Sequence, residues 1–147
     1  DHIVRAFAES PTGDVYVAVR GLGIGTLNHA ESAVNVIRID ADESVLNEPT
    51  DLATYNNKLV ITTINGGAWI YDIDLGKITR RLDAEKDESR ASVDFYSVFV
   101  DDDRNYWLGT SAGLLVIGAN GSRTWFTKRS RHRYLQRASR SYMDRNI

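Results

Sequence analysis

The chain has 147 residues and contains no cysteine. That excludes disulfides, thiolate metal sites and cysteine nucleophiles. Proline is nearly as scarce, with 2 residues, Pro11 and Pro49, and both fall in stretches that read as turns or connections. No apolar run approaches the roughly 20 residues of a membrane-spanning helix. No secretory leader is legible, and a piece of a longer protein would show none either. Histidine is limited to His2, His29 and His132, far apart and without the spacing of a metal site. What is present is ordinary for a folded domain. Hydrophobic residues make up 42% and charged residues 26%, enough apolar content for a core and too little charge for a disordered chain.

One pattern occurs three times. Its clearest copy runs from Val98-Phe99-Val100 through Asp101-Asp102-Asp103-Arg104-Asn105 to Tyr106-Trp107-Leu108-Gly109-Thr110, then Ser111-Ala112-Gly113-Leu114-Leu115. The first copy places Ser10-Pro11-Thr12-Gly13-Asp14 before Val15-Tyr16-Val17-Ala18-Val19 and continues into Gly21-Leu22-Gly23-Ile24. The second places Asn56-Asn57 before Lys58-Leu59-Val60-Ile61-Thr62-Thr63 and continues into Gly66-Gly67. The anchors Tyr16, Val60 and Trp107 lie 44 and 47 residues apart. A period of that size with several short strands per unit is the signature of a propeller array.

Each copy predicts three strands and tight turns. The first strands are expected at Ile3 to Ala8, Asp51 to Tyr55 and Phe95 to Val100. The polar turn residues then supply Asx and left-handed geometries. The second strands are Val15 to Val19, Leu59 to Thr63 and Tyr106 to Thr110, rich in β-branched and aromatic residues. Glycines permit the next reversal, followed by Ile24 to Leu27, Ala68 to Ile73 and Leu114 to Ile117. Outer strands are expected at Val34 to Ile39, Lys77 to Leu82 and Ser122 to Thr127. Four antiparallel strands per repeat make a β-propeller blade. The fold class is therefore all-β, with about three blades over 1–127 (1–45, 46–91 and 92–127), no long helix before residue 128, and a basic tail over 128–147.

Asp101, Trp107-Leu108-Gly109-Thr110 and Gly113-Leu114 resemble the repeat of the two-component regulator propeller family: an acidic turn, an aromatic-Ile-Gly-Thr strand, and Gly-Leu opening the next strand. The first copy keeps Glu9, Gly13-Asp14 and Gly23-Ile24 but has Val17-Ala18-Val19 where the family favours Ile-Gly-Thr. The second keeps Thr63 and Gly67 and lacks the acidic turn. The resemblance spans roughly residues 3 to 127. It implies an extracytoplasmic sensor propeller, on the periplasmic or extracellular face of a bacterial inner-membrane protein, with a carbohydrate input and a kinase elsewhere in the full protein. The motif residues themselves build the blade.

Closed propellers have 4–8 blades, and three repeats nearly fill this chain. The expectation is a partial propeller or a piece of a longer one. Its unpaired end blades invite self-association or the remaining blades of a longer chain. Charge is uneven as well. Residues 123 to 147 carry Arg123, Lys128, Arg129, Arg131, Arg133, Arg137, Arg140 and Arg145 against Asp144 alone, while the whole chain stands at −2. The tail reads either as a polyanion-binding arm, as a solvated terminus, or as a truncated fourth repeat. Tyr134, Ala138 and Tyr142 recur at helical spacing.

Catalytic constellations are thin. Asp101-Asp102-Asp103 lacks the frame and closing glutamate of a calcium loop and coincides with a hairpin turn. Gly21-Leu22-Gly23-Ile24-Gly25 lacks the following helix of a phosphate loop. Trp69, Trp107 and Trp125 occupy strand positions, where packing between blades is the ordinary role and sugar stacking the alternative. Trp107 and Leu108 are expected to be buried on opposite faces of one strand, with Trp107→Ala costing roughly 3–5 kcal/mol. No cofactor, metal site, membrane span or specific nucleic-acid partner is expected.

The reading that follows is a non-enzymatic ligand-binding propeller segment with an oligosaccharide as ligand. Two alternatives stay open: a lyase or glycan-cleaving enzyme on a propeller scaffold, which would need paired carboxylates or a His and metal cluster at the mouth, and a protein-interaction or secretion-associated scaffold. In a propeller, the turns after the second strands and the linkers between blades share one rim. That places Arg20, Asn65 and Ser111 together there, joined by Glu48, Arg90 and Asp94. Arg20 and Asn65 suit hydrogen bonding to an acidic or hydroxyl-rich ligand.

Overall fold

Twelve strands, all antiparallel to their neighbours, account for nearly all the regular structure in the computed structural model, which describes residues 2–39, 46–84 and 93–128. The first blade holds β1 (Val4–Glu9), β2 (Val15–Val19), β3 (Gly23–Asn28) and β4 (Ala33–Val36). The second holds β5 (Pro49–Tyr55), β6 (Lys58–Thr63), β7 (Gly67–Asp72) and β8 (Lys77–Leu82). The third holds β9 (Phe95–Val100), β10 (Tyr106–Thr110), β11 (Gly113–Ile117) and β12 (Arg123–Phe126). Each sheet keeps its strands in chain order. These are propeller blades: an all-β arrangement of three four-stranded antiparallel sheets. Predicted boundaries fall within about two residues of the observed ones except in the first blade, where β4 stops at Val36 rather than Ile39.

The turns form as their residue types require. Asn56 and Asn65 take φ of 49° and 63°, left-handed values that asparagine tolerates. Asp101 caps the β9–β10 hairpin: its carboxylate accepts the backbone N–H groups of Asp103 (3.0 Å) and Asn105 (2.8 Å), and the Asn105 side-chain amide (3.0 Å). Turn chemistry thus accounts for the acidic run.

A feature absent from the expectations recurs in all three blades. The pairing of first and second strands slips by one residue between Val4 and Ala6, between Pro49 and Asp51, and between Ser97 and Phe95. The extra residues are Arg5, Thr50 and Tyr96. A bulge bends the strand and re-aims a side chain. Thr50 turns inward: its hydroxyl donates to the Phe95 carbonyl (2.6 Å) and lies 2.8 Å from the Thr62 hydroxyl. Asp51 completes this bond between blades by accepting the Val98 N–H at 2.9 Å.

Two apolar cores separate the three sheets. Tyr16, Ala18 and Ile24 of the first blade meet Leu52, Leu59, Ile61 and Tyr71 of the second. Val60, Ala68, Ile70 and Leu82 of the second meet Phe95, Tyr106, Leu108, Leu115 and Ile117 of the third. β6 alternates between them, Leu59 and Ile61 to one side and Val60 to the other, as side chains on a strand must. Tyr55 and Tyr106 bridge the second interface with hydroxyls 2.6 Å apart and rings at 70°.

Trp107 corrects an expectation. Leu108 is fully buried, but Trp107 is 37% exposed. The repeat alignment itself stands. Tyr16 pairs with Ala8, Val60 with Ala53 and Trp107 with Phe99, so the three anchors occupy one register position. Tyr16 and Val60 are 5% and 0% exposed because another blade covers them. Trp107 is on the outer face of the last described blade. Its indole N–H donates to Asp101 Oδ2 at 2.9 Å instead of packing in a core.

That bond, with the Asn105 backbone and side-chain N–H groups, holds the Asp101 carboxyl below its ordinary value of 3.8. The pKa is lower folded than unfolded, so the stabilisation is present above about pH 4 and lost as pH falls through the folded value. We expect Asp101→Asn to lower the urea midpoint at pH 7 and to shrink its drop between pH 7 and pH 3. An unchanged acid drop would contradict this role. Asp72 is depressed in the same direction, by its bond to Lys58 first and the Leu75 N–H second, so some acid dependence remains in the variant.

Candidate functional site

The rim is assembled by backbone hydrogen bonds that repeat from blade to blade. In each blade the turn after the second strand donates an N–H to the residue just before the first strand: Arg20 to the Ile3 carbonyl (2.9 Å), Ile64 to Glu48 (3.2 Å) and Ser111 to Asp94 (2.9 Å). The same turns also reach the linker of the following blade. Gly21 donates to the Asn47 carbonyl at 2.7 Å, and the Asn65 N–H donates to Asp94 Oδ1 at 3.0 Å. Turns and linkers therefore form one continuous band at one end of the blades.

Five of the six residues read from the sequence lie on this band. Arg20 Nε stands 3.8 Å from Glu48 Oε2, with the two side chains 54% and 44% exposed. A pair so open to solvent contributes little to stability. Asp94 is the hub of the second group. Its carboxylate accepts the Asn65 N–H, its own N–H donates to the Ser111 hydroxyl at 3.0 Å, and Tyr96 OH donates to its Oδ2 at 3.3 Å. Arg90 lies outside the described residues.

Asp94 thus spends much of its capacity on the fold. Arg20, Asn65 and Ser111 present exposed side chains. Two further residues belong to the band and were missed. Tyr96 reaches it only because the bulge takes it out of alternation, and its phenol is held above the usual 10.0 by desolvation first and the Asp94 carboxylate second. Arg5, the bulged residue of the first blade, is exposed at the corresponding place. The bulge leaves no residue signature, so period-two reading assigned both to ordinary strand positions.

Elsewhere, Arg81 covers the Trp69 ring at 5.0 Å and donates through Nε to the Gly66 carbonyl at 3.0 Å, so Trp69 takes a packing role at the first interface. Trp125 is partly buried against the second core. His132 and the tail beyond Lys128 lie outside the described residues. Among the described residues no group of three or more His, Asp or Glu side chains is placed to hold a metal ion, and no helix is long and apolar enough to cross a membrane.

No protein-family model matches this chain, and no curated protein matches it. Solved structures do. The extracellular domain of the hybrid two-component system BT4673 from B. thetaiotaomicron is similar over 84% of this chain, with 16% identity and a TM-score of 0.69. That of BT3049 from the same organism is similar over 82%, with 21% identity and a TM-score of 0.56. BamB from Moraxella catarrhalis is similar over 84%, with 13% identity and a TM-score of 0.55. The chain spans 18%, 16% and 36% of those three chains. At these identities the likeness is one of fold, and the fold is that of propeller blades.

Proposed function

We propose that this chain is a non-enzymatic, extracytoplasmic ligand-binding segment of a sensor propeller, and that its turn-and-linker rim binds a hydroxyl-rich ligand of the oligosaccharide class. The observation that supports the reading is the band itself, whose hydrogen bonds tie the turns that carry Arg20, Asn65 and Ser111 to the blade linkers. Donors and carboxylates alternate along it, the Arg20 guanidinium beside Glu48 and the Asn65 backbone N–H on Asp94. A polyanion would meet two carboxylates there, whereas a neutral polyol would find donors and acceptors interleaved. Similarity to extracellular domains of hybrid two-component systems supports the sensing role. Signal output would reside in other parts of a longer protein.

The test is a thermal-shift and calorimetric screen against a panel of neutral and acidic oligosaccharides, repeated with Arg20→Ala/Asn65→Ala. A neutral oligosaccharide should bind the parent, and the double variant should lose at least about tenfold in affinity, the worth of one or two hydrogen bonds. Undiminished binding by the double variant would remove this rim as the site.

A further inference from the structure

Asparagine followed by glycine occurs twice, at Asn65-Gly66 and Asn120-Gly121. The pair has a reaction of its own. The backbone nitrogen of the second residue can attack the side-chain amide carbon of the first, and glycine offers no Cβ to obstruct the approach. Attack is hindered where that nitrogen already holds a hydrogen bond. Both asparagines are exposed, so the two glycine N–H groups decide between the sites.

At the second site the nitrogen is committed. Gly121 donates to the Gly118 carbonyl at 2.9 Å, and Asn120 Oδ1 accepts the Ser122 N–H at 3.0 Å. The first site differs. Thr63 pairs with Gly67 as Val19 pairs with Gly23, so Gly66 corresponds to Leu22 of the first blade. Leu22 donates to the Val19 carbonyl at 3.1 Å, whereas the Gly66 N–H has no acceptor among the described residues. Gly66 is nonetheless buried. Both sides of this peptide are anchored. The Asn65 N–H is held on Asp94 Oδ1 at 3.0 Å, and the Gly66 carbonyl accepts Arg81 Nε at 3.0 Å. A buried backbone donor without a partner is costly, and cyclisation removes that hydrogen from the nitrogen.

We propose that Asn65 is a self-modification site on the rim. The Gly66 nitrogen bonds to Asn65 Cγ and gives up its proton to solvent. The Cγ–Nδ2 bond breaks, ammonia leaves, and a succinimide ring closes. Water then opens the ring at either carbonyl and leaves an aspartyl or isoaspartyl residue at position 65. Nothing is oxidised or reduced. Either product puts a new carboxylate on the turn whose N–H is bound by the Asp94 carboxylate. An amide of the rim becomes an anion, which repels Asp94 and disfavours an acidic ligand there. The conversion is one-way, and it does not depend on what the rim binds.

Peptide mapping by mass spectrometry tests this on the 147-residue chain, held folded in mildly alkaline buffer. Position 65 should convert at least about tenfold faster than position 120, the rate equivalent of the one ordinary hydrogen bond that Gly121 must first break. In guanidinium chloride the ratio should fall toward one, because both glycine nitrogens are then equally open. Asn65→Ser should abolish the acidic species that ion exchange separates from the aged parent. Equal rates in the folded chain, faster conversion at position 120, a ratio unchanged by denaturant, or an acidic species that survives Asn65→Ser overturns the proposal. None of these readouts involves an oligosaccharide, so this inference and the ligand-binding reading of the rim fail separately.

Discussion

Phe95→Ala is expected to lower the unfolding free energy by about 3–5 kcal/mol, the range for truncating a large aromatic in a packed core. Phe95 is 1% exposed and belongs to the cluster of Val60, Ala68, Ile70, Leu82, Tyr106, Leu108 and Leu115. It sits at the entrance of β9, where its carbonyl also accepts the Thr50 hydroxyl. Removing the ring leaves a void between two sheets that are joined by other bonds on both sides, so collapse around it is limited. Trp107→Ala should cost distinctly less despite the larger side chain, because Trp107 faces outward. Urea denaturation of both variants decides the matter. If Trp107→Ala proves the more damaging, the assignment of inner and outer faces in the third blade is wrong.

Gly67→Ala should be the next most damaging single change. Gly67 opens β7 with φ of +77°, and a Cβ there would lie 2.5 Å from the Leu82 carbonyl oxygen. The conformation alone costs an alanine on the order of 1–3 kcal/mol. The contact adds to that because a ladder carbonyl cannot rotate away as a side chain can. Gly113 occupies the same register position in the third blade, with φ of +122° and 2.7 Å to the Phe126 carbonyl oxygen. The control is Gly13→Ala, where φ is +90° and nothing lies within 4 Å. It carries the conformational cost without the clash. Urea midpoints should fall further for Gly67→Ala than for Gly13→Ala. Equal losses would mean that the close approach at β7 contributes nothing.

The blade was legible because its signals are local. The β-branched and aromatic content of Val15–Val19, the Asn56-Asn57 and Asp101–Asn105 turns, and the glycines at Gly67 and Gly113 each restrict the backbone within a few residues. Repetition at 44 and 47 residues then multiplies a weak signal. The rim was legible in outline for the same reason: topology puts every β2–β3-type turn at one end. Its details were not. The bulges at Arg5, Thr50 and Tyr96 cost one residue each and leave no composition mark, yet they decide that Thr50 points into the core while Tyr96 reaches Asp94.

Sequence by itself determined that this chain folds into four-stranded blades and that Tyr16, Val60 and Trp107 are equivalent, since strand period and turn chemistry are properties of short segments. Only the tertiary structure decided which equivalent residues are buried. Burial of a sheet face depends on whether another sheet lies against it, and that is a property of neighbours. Identical pattern positions therefore leave Val60 enclosed between two blades and Trp107 open on the outer face of the last described blade.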